Sequence, residues 1–229
     1  MKKLSVSLTA AEKWLGWIYW ALQLFVLPVA LSACLDIWNL PFSEVQVNFI
    51  FFALNFICLT AIMHRFLGRS ARVALQRPFL TIRWAGIGYV VFWLLSIVMG
   101  TITGYFMPDF ANVNDASIQT LVSDNYTLTA IGTVLLAPVA EELMYRGLIF
   151  DALHRRSPVA AFIVSTTVFA AIHVVGYIGL YDPLTLILCF VQYIPAGLCL
   201  GFAYTRSGTI WAPILMHIAV NQTSIMTMR

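Results

Sequence analysis

Two glutamates, Glu141 and Glu142, stand side by side in LLAPVAEELMYRGLIF, a stretch whose other residues have the composition of a membrane-buried helix. Arg146 follows four residues after Glu142. Downstream, His173 closes FAAIH, and His217 and Asn221 bracket HIAVN. On a helix, residues four apart share a face, whereas adjacent residues diverge by about 100°. Glu142 and Arg146 are therefore neighbours in the favourable acid-before-base order, which leaves Glu141 pointing elsewhere. The same rule stacks Phe169 beneath His173 and puts His217 and Asn221 on one face. A carboxylate withdrawn from water becomes a better base, and with an imidazole it can take a proton from water and direct that water at a carbonyl. A second imidazole and a carboxamide can donate hydrogen bonds to the oxyanion that forms. This is hydrolysis without a covalent intermediate. No Ser, Thr or Cys has a spacing that pairs it with either histidine, which argues against a nucleophile triad. The same atoms have another use, because Glu141, His173 and His217 would make a zinc set with an open fourth position. There is no HExxH, and the residue types alone leave metal-bound and metal-free water both open.

The elements that must carry these residues are membrane spans. With 61% hydrophobic and 10% charged residues and a mean hydropathy of +0.86, the chain is too apolar for a water-soluble globule, in which about a quarter of residues are charged. A bilayer core about 30 Å thick needs roughly 20 apolar residues per helix. Seven segments qualify, at about 13–34, 46–66, 82–105, 127–152, 158–179, 183–204 and 209–228. The expectation is an all-α, polytopic transmembrane bundle forming a single membrane domain over 1–229, with N-terminal spans and an outer loop to about 126 and a catalytic core over 127–229. The first segment is too long and aromatic for a signal peptide, and no small-residue cleavage site follows it, so it reads as a retained span.

Charge placement orients these spans. Lys2, Lys3, Lys13, Arg65, Arg69, Arg72, Arg77, Arg83, Arg155, Arg156 and Arg206 fall on one side if seven spans alternate. Asp36, Glu44, Asp109, Asp115, Asp124 and Asp182 fall on the other, where the basic residue is Arg229. Basic loops stay cytoplasmic, which predicts a multi-pass cell-membrane protein with the N-terminus inside and the C-terminus outside. The net charge of +3 then reflects topology and gives no reason to expect nucleic-acid binding. The polar segment 106–126 has room for a short surface helix. The basic loop from His64 has the Arg and Leu/Val mixture of an interfacial amphipathic helix. Cys34, Cys58, Cys189 and Cys199 have no CxxC spacing and read as packing residues.

Ionisable side chains at membrane depth cost about 2.5–3.5 kcal/mol each, so those that remain are candidates for function. The first three spans contribute only Gln23, Asn48 and Asn55, which helix–helix hydrogen bonds can satisfy. Glu141, His173 and His217 all fall within the hydrocarbon slab and can meet. Blander readings suit several others. The Glu142–Arg146 pair reads as architecture, Gln192 beside Pro195 as packing or repair of the broken backbone ladder, and His64 and His154 as interfacial. The NQT at 221–223 fits a glycosylation acceptor but lies within a span.

In sequence order, EELMYR, FAAIH and HIAVN match the EExxxR, FxxxH and HxxxN motifs, and the chain resembles the CPBP family, the CAAX-processing and bacteriocin-processing intramembrane proteases. The resemblance covers about 100 residues, from the fourth span to the seventh, and no motif is matched in the first three. It implies an endopeptidase in which Glu141 and His173 activate water while His217 and Asn221 hold the oxyanion, with Glu142, Arg146 and Phe169 supporting. It further implies no catalytic metal, although the family has been called metalloproteases and a zinc-dependent version would use Glu141, His173 and His217. The partners expected are the lipid bilayer and a peptide or membrane-protein substrate. Because the family includes immunity-type members, a non-catalytic immunity or scaffolding protein is the rival reading. A proton-coupled transporter using Glu141 is a third, but it lacks paired repeat halves.

Overall fold

The computed structural model describes residues 6–228. Lys2, Lys3 and Arg229, which entered the topology argument, lie outside the described residues. The fold is all helical, 85% of it in helices, with no strand among the described residues. In chain order the helices are α1 (Ala10–Phe25), α2 (Leu27–Ile37), α3 (Glu44–Ile62), α4 (His64–Gln76), α5 (Pro78–Phe106) and α6 (Val113–Asp124). They continue with α7 (Tyr126–His154), α8 (Pro158–Ile172), α9 (Pro183–Ser207) and α10 (Trp211–Thr227). The surface is apolar where a soluble protein would be charged. Phe79, Leu94, Ile97 and Tyr105 of α5 and Trp14 and Phe25 of α1 all point outward, as lipid-facing residues do.

Five helices, α3, α5, α7, α8 and α9, are long and apolar enough to cross a bilayer, and α1 with α2 make a sixth candidate bent by 50°. Pro28 at the start of α2 accounts for the bend, since it has no N–H to continue the ladder. The seventh expected span corresponds to α10, an apolar helix of 17 residues that is not among these candidates. The chain turns ahead of it at Gly208, whose φ of 74° caps α9 in the left-handed region that glycine enters freely. Asp182 caps the other end of α9 by accepting from Thr185 N.

The amphipathic α4 is the strap of the basic end. Glu12 completes a capping box with Thr9 and also accepts from the backbone N of Phe66, at 2.6 Å, and from Arg69. One carboxylate thus closes the start of α1 and satisfies an orphan donor in the first turn of α4. On the far side, Ser70 accepts from Ile210 N and bonds to Thr209, fastening α4 to the start of α10. The outer segment does hold a helix, α6, whose N-cap Asn112 accepts from Asn114 N and Asp115 N.

At the centre is α7, which packs on α3, α8 and α10, while α9 packs between α5 and α8. Its inner half is fully buried, from Leu143 to Phe150. His154, read as interfacial, is covered by the protein itself and stacks on Phe150 at 5.3 Å, whereas His64 is exposed.

Candidate active site

The backbone of α7 is irregular where the site lies. π-helical turns occupy Ile131–Leu136 and Leu143–Phe150, with a short α segment, Ala137–Glu142, between them. The first irregularity follows from Pro138. The N–H of Ala137 reaches back to Gly132 O, a five-residue step. In that register Thr133 O awaits an N–H from residue 138, which proline lacks. The side chain of Asn221 fills the gap, its Nδ2 donating to Thr133 O at 2.8 Å. A defect in one helix thereby anchors a polar residue of another.

The second π segment carries Arg146, and its guanidinium is wholly buried. Nη1 donates to Glu142 Oε1 at 2.8 Å and Nη2 to Gly197 O of α9 at 3.1 Å. Phe169 lies beneath it, with the guanidinium carbon 4.8 Å from the ring centroid, a cation–π contact in a dry setting. The i, i+4 pair read from spacing is therefore present, but it does more than pair. Glu142 Oε1 also lies 2.9 Å from His217 Nδ1. Since the carboxylate oxygen accepts, the Nδ1 proton is directed at Glu142, which turns Nε2 toward Glu141, 3.9 Å from its Oε2. Spacing within α7 could not show this link, which joins residues on two helices.

His173 ends α8. Its Nδ1 lies 2.7 Å from Phe169 O, so Nδ1 donates, and in the neutral ring Nε2 is left as an acceptor. The ring stacks on Tyr193 of α9 at 4.2 Å and leans on Phe169 at 4.7 Å. Phe169 is in turn edge-on to His217 at 5.8 Å and to Tyr145 at 5.4 Å. One aromatic plate thus contacts Arg146 and both histidines, which explains why a large ring is needed four residues before His173.

Glu141 Oε2 is buried and has no hydrogen-bond partner among the described residues. It lines a cavity of about 740 Å³ together with His173, His217, Asn221, Tyr145 and Tyr193. The structure therefore brings all four expected site residues to one chamber. Chemically, the chamber offers a carboxylate oxygen that no hydrogen bond engages, an imidazole acceptor and a second imidazole oriented by an anion. The remaining amide proton of Asn221 is free to donate. Among the described residues, no three His, Cys, Asp or Glu side chains are grouped as a metal-binding set.

Several wall residues escaped the sequence reading. Tyr193 was unremarked, and Gln192, read as packing or backbone repair, instead accepts from Asn112 Nδ2 at 2.9 Å and so docks α6 over the cavity. Asn114 Nδ2 donates to the Tyr193 hydroxyl, and that hydroxyl donates to Asp115 Oδ1 at 3.2 Å. Nothing in a polar outer loop distinguishes these residues from ordinary solvated ones. Asn55, as expected, is satisfied between helices, accepting from the Tyr19 hydroxyl at 3.1 Å. It lines the same cavity with Gln23 and Asn48.

Residues 123–223 match the sequence model of a family described as type II CAAX prenyl endopeptidase Rce1-like. That range holds every residue from Glu141 to Asn221. The match covers less than half of the chain and supports a likeness to the CPBP family over that segment. A relative in Bacillus subtilis (strain 168), named "Putative membrane peptidase YdiL", is 26% identical over 143 residues, 62% of this chain and 54% of that protein. The chain thus spans about half the length of this curated relative. No solved structure matches. The family match begins just before α7 and ends within α10, so α1, α2, α3 and α5, which supply part of the cavity wall, lie outside it.

Proposed function

We propose that this chain is an intramembrane endopeptidase that hydrolyses a peptide bond with water activated by Glu141 and His173. The observation that carries the reading is a Glu141 carboxylate oxygen that no hydrogen bond engages, buried in a cavity shared with both histidines. Glu141 takes a proton from water as its oxygen attacks the carbonyl carbon, and the acceptor Nε2 of His173 aligns that water. The oxyanion is held by the free amide proton of Asn221 and by His217 when its Nε2 carries a proton. Collapse breaks the C–N bond, and the proton held by Glu141 passes to the leaving amine. Glu142 positions His217, and Arg146 holds Glu142. The CPBP match and the name of the Bacillus relative support peptidase chemistry in general.

Replacement of Glu141 by Gln preserves shape and removes the base. In purified protein, Glu141→Gln is expected to abolish cleavage while the helical circular dichroism stays unchanged; undiminished turnover in that variant would overturn the assignment. Water activation by this set needs no metal, and activity is expected to survive strong chelators. Chelation that stops turnover, with zinc restoring it, would replace the metal-free mechanism with a metal one. The charge distribution further supports a cytoplasmic N-terminus, because Lys13, the α4 arginines, Arg155, Arg156 and Arg206 cluster at one end of the bundle.

A further inference from the structure

The cavity is not centred in the bundle. Its lining reaches no deeper toward the basic end than Tyr145, Leu200 and Met216. Below that level the bundle is solid, with Leu148, Phe150, Met63 and Phe66 at 0–1% exposure. In the other direction the lining runs out to Asn112, Asn114 and Asp115 of α6, to Gly176 and Tyr177 after α8, and to Met228. The mouth is therefore at the end that carries the acidic loops. Apart from Arg146, every described Lys and Arg lies toward the opposite end, from Lys13 near the start of α1 to Arg206 near the end of α9.

The lining has a one-sided charge. It includes two carboxylates, Asp115 and Glu141, and neither Lys nor Arg. Arg146 lies behind Glu142 with Nη1 and Nη2 already engaged, so it is not offered to a ligand. Asp115 is held in register with the catalytic chamber, since Tyr193 both donates to its Oδ1 and stacks on His173. A peptide that enters from the mouth shares the cavity of Glu141 with this carboxylate. A chain end with a free carboxylate would face two like charges and no Lys or Arg in the lining, whereas a Lys, an Arg or a free amine would find a partner fixed by the protein.

We propose that Asp115 is a specificity residue, and that the cavity takes from the non-cytoplasmic side a peptide segment bearing a cationic group near the cleaved bond, in preference to a tail ending in a free carboxylate. This rests on the endopeptidase reading and on the cytoplasmic assignment of the basic end.

The test uses full-length protein in sealed vesicles and three internally quenched peptides that differ at one flanking residue, Lys, Gln or Glu. Cleavage of the Gln peptide tests the endopeptidase reading by itself. The expected order of kcat/KM is Lys over Gln over Glu, with the Lys-to-Glu ratio about 10-fold or more, the scale of a close charge pair at a wet protein surface. Asp115→Asn should bring that ratio toward one, chiefly through KM, and Asp115→Lys should invert it. A merely structural role would slow all three peptides alike and leave the ratio standing, and that result overturns the proposal. Membrane-impermeant peptide should be cleaved only when added on the α6 side; cleavage from the α4 side alone would equally overturn it. Should no peptide be cleaved, the Kd ratio of the Lys and Glu peptides for the Glu141→Gln protein still decides the matter. A ratio of one there refutes the charge preference, and a ratio above one that Asp115→Asn removes supports it.

Discussion

Glu142 Oε1 accepts from both Arg146 Nη1 and His217 Nδ1, at 2.8 and 2.9 Å, in a setting closed to solvent. Breaking a buried pair by removing one charge costs about 3–5 kcal/mol, because the surviving charge is left uncompensated. Glu142→Gln keeps the volume and one acceptor oxygen but not the charge. It is expected to lower stability by about 3 kcal/mol and, through loss of the anion that orients His217, to lower kcat about 10²-fold with little change in KM, the usual cost of one misplaced oxyanion donor. Thermal unfolding and steady-state kinetics on the folded fraction separate the two effects. A stability loss with normal kcat per folded molecule would reduce Glu142 to architecture. That was its reading from spacing, which reports only neighbours on the same helix. The two motifs that supply His217 and Glu142 are 75 residues apart, and only packing reveals which imidazole nitrogen meets which carboxylate.

The helices themselves were largely legible, because span length is set locally by bilayer thickness and apolar composition. Their irregularities were not. Hydropathy reads α7 as one uniform span, whereas Pro138 shifts its ladder to π turns and frees Thr133 O for Asn221. Pro138→Ala would return an N–H at that place. The helix should gain up to about 3 kcal/mol from removing an interior proline, while Asn221 loses its anchor and turnover falls. Enhanced thermal stability together with a lower kcat is the expected signature, and a variant that gains stability at full activity would show that Asn221 needs no such anchor. A second feature is the close crossing of α8 and α9. A Cβ at Gly197 would come within 2.6 Å of Thr166 Cγ2 and 3.0 Å of the Thr166 Cα. The backbone atom cannot rotate away, so Gly197→Ala should cost about 1–3 kcal/mol by overpacking and displace the carbonyl that accepts from Arg146. A melting temperature equal to that of the parent would mean that the two helices yield freely.

The molecule as a whole is solid at its basic end and hollow at its acidic one. The charge asymmetry was plain in the sequence, since membrane insertion sorts Lys and Arg by side. The hollow was not, because the polar α6 residues in its lining are Asn, Asp and Ser, the composition of any solvated loop. The same asymmetry yields a prediction independent of catalysis. Ser224, on α10 one turn beyond Asn221, lines the cavity, so a thiol placed there should be wet from one side only. Cys189 and Cys199 serve as internal references, being 0% and 5% exposed and absent from the lining. With the half-buried Cys34 and Cys58 replaced by Ser, Ser224→Cys should react with a membrane-impermeant maleimide applied on the α6 side, well ahead of either reference thiol. Applied on the α4 side, the reagent should fail, because the inner half of α7 is packed against α8 and α9 with no route through. Labelling of Ser224→Cys no faster than Cys199, or labelling from the α4 side, would mean that the chamber holding Glu141 is reached by another path.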